Sequence, residues 1–164
     1  MKPFITLLAI IFSFTSIASA QQTVIKKGYA YYLSSPKGMV KAGDESHPER
    51  NMNVEHILYL ETPGKFKPQI TKIQSGKRIF SADIEQVLSG TELAGTRAAD
   101  GKAQTVTAAR GNKLWRIYLS ENVEYPSTTP LKNIIISYYL NGKISRFVVK
   151  GETRLNAVPM ADPS

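Results

Sequence analysis

Asn133-Ile-Ile-Ile-Ser-Tyr-Tyr-Leu140, Asn141-Gly142, Lys143-Ile-Ser-Arg-Phe-Val-Val-Lys150 reads as a β-hairpin, and it decides the fold class. Asn-Gly supplies the two positive φ values of a type I′ turn, whose twist matches the strands on either side. A two-residue turn there pairs Leu140 with Lys143, Tyr138 with Ser145, Ile136 with Phe147 and Ile134 with Val149. That face is almost wholly apolar. The other mixes Asn133, Ser137, Arg146 and Lys150 with Ile135, Tyr139, Ile144 and Val148. One side therefore goes to a core and the other is partly wet.

A second hairpin is expected from Gln104–Arg110 and Lys113–Leu119 around Gly111-Asn112, a fit to a type II′ turn. Its register sets Ala108 opposite Trp115, Val106 opposite Ile117 and Thr107 opposite Arg116. Further strands are expected at Val24-Ile25, Tyr29–Leu33 and Glu55–Glu61. A third hairpin fits Gln69–Gln74 and Lys77–Phe80 about Ser75-Gly76, while Ile84–Leu88 reads equally as a strand or one helical turn. Seven to nine strands at hairpin spacing give an all-β chain. The expected architecture is an antiparallel, immunoglobulin-like β-sandwich over residues 21–156, with a small β-barrel as the alternative. The single Trp115 falls on a central strand and suits a core. Ser34–Asn53 and Ser89–Lys102 read as long irregular stretches, and 157–164 as a flexible tail.

At 164 residues with 42% hydrophobic and 21% charged side chains, the chain has the apolar content for one packed domain. Cys 0 excludes disulfide scaffolds, cysteine nucleophiles and thiolate metal sites. Residues 1–20 have the form of a cleaved signal peptide: Lys2, an apolar run from Phe4 to Phe12, and Ala18-Ser19-Ala20 before Gln21. The run is too short and too broken by Thr6, Ser13, Thr15 and Ser16 for a membrane span. No Asn-x-Ser/Thr sequon occurs, and with no cysteine this favours a bacterial periplasmic or secreted protein.

Candidate chemistry is sparse. His47 and His56 stand near Glu45, Glu49 and Glu55, but neither HxxxH nor HExxH is present, so no metal and no cofactor is expected. There is no G-x-S-x-G elbow, no phosphate loop, and only two histidines to serve as a triad base. Carboxylates such as Asp44, Glu49, Glu55 and Glu61 form no distinctive pair. No catalytic residue is assigned.

What stands out is aromatic and basic surface. Alternation puts Tyr29 and Tyr31 on one face and Tyr32 on the other, with Tyr138 and Tyr139 in the late hairpin. The net charge of +8 recurs along the strands, including Arg116 and Arg146. Tyr29, Tyr31, Tyr138, Arg116 and Arg146 are the expected binding residues, for an envelope protein or glycan. Nucleic acid is not expected outside the cytoplasm, and no aromatic-plus-basic RNA motif is present. The function expected is thus a non-enzymatic exported binding module. The alternatives are an accessory subunit of an envelope assembly and, further off, a metal-dependent hydrolase.

Overall fold

A computed structural model describes residues 24–36, 52–123 and 127–156. Ten strands account for 71% of them, with no helix among the described residues. They are β1 (Lys27–Pro36), β2 (Met52–Pro63), β3 (Gln69–Ser75), β4 (Arg78–Val87), β5 (Thr91–Arg97), β6 (Ala103–Thr107), β7 (Asn112–Ser120), β8 (Lys132–Leu140), β9 (Lys143–Gly151) and β10 (Thr153–Asn156). The expected signal segment, the middle of the Ser34–Asn53 stretch with His47, and the 157–164 tail lie outside the described residues.

The all-β class is as expected. The strands form one curled sheet in the order β6-β5-β10-β1-β2-β7-β4-β3-β8-β9. It is mixed rather than wholly antiparallel, because β10 runs parallel to β1, pairing Tyr31 with Thr153 and Leu33 with Leu155. Only Glu152 separates β9 from β10, so one length of chain leaves β8 and bends across to β1. The sheet thereby curls into a half-barrel.

The β8–β9 hairpin has the register read from its sequence, pair for pair from Leu140↔Lys143 to Ile134↔Val149. Asn141 and Gly142 both hold positive φ, 50° and 75°, as a type I′ turn requires. The third hairpin also forms, with its turn one residue later at Gly76-Lys77 and Ile73 opposite Phe80. Ile84 lies in β4, a strand rather than a helical turn.

The second hairpin is a correction. β6 pairs with β5, setting Val106 opposite Glu92, whereas β7 lies between β2 and β4. Trp115 stands opposite Leu60 and Gln86, and Arg116 opposite Tyr59 and Glu85, instead of Ala108 and Thr107. Asn112 N–H donates to Ala109 C=O at 2.9 Å, so Gly111 is the third residue of a turn, where its φ of 84° is that of type II. The chain uses this corner to drop from an outer layer into the middle of the sheet. Ser89–Lys102 is also corrected, since β5 runs through it.

Strand alternation then builds two apolar layers. Inside the curl, Ala30, Leu58, Leu60, Ile73, Trp115, Ile117, Leu119, Ile134, Ile136 and Tyr138 pack together. On the opposite face of β1, β2 and β7, the residues Tyr31, Ile57, Tyr59 and Leu114 are covered by Val106 of β6 and Leu155 of β10. Trp115 is buried in the first layer, as expected, with its Nε1–H donating to Thr62 Oγ1 at 2.8 Å.

β1 and β9 meet without pairing along the start of β1. A Cβ on Gly28 would lie 2.6 Å from Phe147 Cε1 and 2.8 Å from Val149 Cγ2, so the missing side chain is what lets β9 close over β1. Between them opens a groove of about 350 Å³ bordered by Gly28–Tyr31 and Val148–Gly151.

Candidate binding surface

Five residues were expected to bind, and burial separates them. Tyr138 is fully buried in the inner layer, edge-on to Phe66 with ring centroids 6.2 Å apart, so it is a core residue and not a contact surface. Tyr31 is buried in the outer layer against Tyr59, at 5.8 Å in a T-shaped pair, and Tyr29 packs beside it. Both serve cross-strand packing, which strand propensity favours for tyrosine.

Arg116 is also committed. Its guanidinium pairs with Glu85 of β4 and Glu92 of β5 and lies 5.2 Å from the centre of the Tyr118 ring. Burial pulls its pKa down, but hydrogen bonding to Glu85 and the charge of Glu92 outweigh this and hold it above the ordinary arginine range. Burial, aided by the charge of Glu92, raises the neighbouring Tyr59 hydroxyl well above the usual tyrosine range. The cluster ties β7 to β4 and β5 and leaves Arg116 no free charge.

Arg146 has a different setting. β9 ends the sheet among the described residues, and the outer face of β3, β8 and β9 with the Ile79 end of β4 has no covering layer among them, whereas the Val87 end of β4 lies under the outer layer. Pairing lines up three rows across it. Ile79, Gln74, Ile135 and Val148 form the first; Lys72, Ser137 and Arg146 the second; Gln69, Tyr139 and Ile144 the third. Ile79, Tyr139, Ile144 and Val148 are 58%, 46%, 55% and 52% exposed, unusually open for large apolar side chains grouped on one face.

The charges facing outward on β3, β8 and β9 are Lys72, Arg146 and Lys150, and the nearest carboxylates on that face are Asp83 and Glu85 of β4. β3, β8 and β9 carry Lys72, Lys132, Lys143, Arg146 and Lys150 and no Asp or Glu. Elsewhere some cations are answered, since Arg78 holds Glu121 with two guanidinium nitrogens, Arg97 holds Asp100 and Lys27 reaches Glu61, while others such as Lys65, Lys77 and Arg110 pair with no carboxylate among the described residues. Among the described residues, none of the five cations on β3, β8 and β9 pairs with a carboxylate. Apolar side chains interleaved with the unpaired cations Lys72, Arg146 and Lys150 suit an acidic partner with an apolar stripe.

His56 offers less. Its Nδ1 is 2.7 Å from Glu152 Oε1, and its ring lies against Tyr32 and Phe80. Nε2 is enclosed, with no hydrogen-bond partner among the described residues. Among the described residues no three His, Asp or Glu side chains gather as a metal would need, and His47, Glu45 and Glu49 lie outside them. No described helix is long and apolar enough to cross a membrane. No family model, curated protein or solved structure matches the chain.

Sequence reasoning chose Tyr138 where the structure exposes Tyr139. The signal was parity: Tyr138 shares a face with Ile134 and Ile136, while Tyr139 alternates outward with Ser137. Ile79 was missed because its exposure depends on which strand β3 pairs with.

Proposed function

We propose that this protein is an exported, non-enzymatic binding module that holds an acidic envelope protein or glycan on the outer face of β3, β8 and β9. One observation carries the reading. The only expected binding residue left uncommitted, Arg146, sits between exposed Ile144 and Val148 on strands with five cations and no carboxylate. The two-layered burial is in keeping with a sandwich-like scaffold that presents function from exposed strands. His56, engaged by Glu152 and shut behind Tyr32 and Phe80, supports binding over hydrolysis.

The test is affinity capture by the tagged protein from envelope extract, at low and at moderate salt, beside an Arg146→Glu, Lys150→Glu variant. The expected result is a defined acidic partner that survives moderate salt and disappears with the variant. Equal recovery by both proteins would overturn the assignment of this face.

A further inference from the structure

Resting on that reading, we infer that the partner is a protein whose extended segment, with apolar and acidic side chains taking turns along one of its faces, adds as a strand to the free edge of β9. The argument begins at the turn. A two-residue hairpin makes Leu140 and Lys143 its closing hydrogen-bonded pair, and antiparallel bonding then alternates. Ser145, Phe147 and Val149 direct their N–H and C=O groups toward β8. Ile144, Arg146 and Val148 direct theirs away, and among the described residues β9 has no strand on that side. These same three residues carry the exposed side chains of the open face. Backbone edge and side-chain surface therefore coincide, as strand addition requires: main-chain bonds supply affinity and alternate side chains supply selection.

The edge continues into the groove between Val148–Gly151 and Gly28–Tyr31. β10 occupies the side of β1 only from Tyr31 to Leu33, so the backbone of Gly28–Ala30, paired to β2 on its other side, borders the groove with no described strand beside it there. A segment laid along β9 reaches a second strand margin there.

Charge selects the occupant. A second copy pairing β9 to β9 in antiparallel register about Arg146 would set the two unpaired guanidiniums side by side, which opposes association. A partner strand whose side chains on the open face run apolar, acidic, apolar, acidic sets its acids beside Arg146 and Lys150 and its apolar residues beside Ile144 and Val148. A polyanionic glycan would meet the charges but leave the free N–H groups unused.

The experiment compares two probes against the whole protein: a synthetic peptide repeating valine, threonine, glutamate, threonine, which sets valine and glutamate in turn along one face, and dextran sulfate. Two variants share one position. Ile144→Ala trims the side chain and keeps the outward N–H; Ile144→Pro removes that N–H without touching a bond to β8, an exchange an edge strand accepts. Strand addition requires the peptide's affinity to fall at least roughly tenfold further in the proline variant than in the alanine one. Amide exchange with the peptide bound should slow at Ile144, Arg146 and Val148 and stay unchanged at Ser145 and Phe147, an alternation that contact with the face alone does not produce. If both variants weaken the peptide equally, or dextran sulfate binds and the peptide does not, strand addition is wrong and the acidic-partner reading stands. If neither probe binds, both are wrong.

Discussion

Nδ1 of His56 lies 2.7 Å from Oε1 of Glu152, joining β2 to the single residue at which β9 turns into β10. Both side chains are buried. The other carboxylate oxygen accepts the Leu131 N–H at 2.6 Å, and Glu152 N–H donates back to Leu131 C=O at 3.2 Å. Glu152 thus ties three parts of the chain at the bend, and Tyr32, opposite His56 in the ladder, covers the site.

Removing that carboxylate strands both an imidazole and an amide in the interior. Glu152→Ala should therefore lower stability by roughly 3 kcal/mol, measured by urea unfolding. A loss within about 0.5 kcal/mol, the range of an ordinary surface substitution, would show that the bend does not depend on it.

Trp115 fills the inner layer from a strand flanked on both sides. Trp115→Ala should cost on the order of 3–5 kcal/mol. Trp115→Phe keeps most of the volume and loses the bond to Thr62, so it should cost clearly less. Equal losses in the two variants would place the energy in the hydrogen bond and not in packing.

Glu61 clamps the corner that carries the chain from β6 to β7. Burial raises its pKa, but this is outweighed by hydrogen bonds from Asn112 and the Ala109 N–H and by the charge of Lys27, which hold the carboxyl below its ordinary range. A depressed pKa contributes stability that is complete above the unfolded value, about 4.3, and is lost as pH falls through the folded value. Unfolding midpoints below pH 4 should drop less steeply in Glu61→Gln than in the parent. Parallel pH profiles would rule this linkage out.

Gly28 is a site of close approach. Gly28→Ala should destabilise by about 1–3 kcal/mol, because the new methyl meets Phe147 and Val149. Adding Phe147→Leu should recover part of the loss, since the two sites touch. Strict additivity of the two changes would argue against the clash.

Where local chemistry governs, the sequence was readable. Asn141-Gly142 and a period of two gave the β8–β9 register and the inward row from Ile134 to Tyr138, and with it the exposure of Arg146. Where pairing depends on distant chain, it was not. Gly111-Asn112 looks like a hairpin turn, yet β7 is claimed by Leu58 and Leu60 on one side and Ile84 on the other, leaving β6 to β5. β5 itself is hidden because Gly95 interrupts its alternation; the structure places that glycine at an irregularity in the β5–β6 ladder and against Leu155. β10, at four residues, is too short to announce itself, although it closes the sheet.

The parallel pairing of Tyr31 with Thr153 also sets a timetable. β1 is synthesised early, but one of its two partners is among the last described strands to leave the ribosome. Until then β1 has only β2 beside it, the outer layer lacks Leu155, and the bend at Glu152 does not exist. Contacts this remote in sequence are the slow ones to form. The sheet of the nascent chain consequently stays incomplete, and open to chaperones or proteases, until β10 has been made.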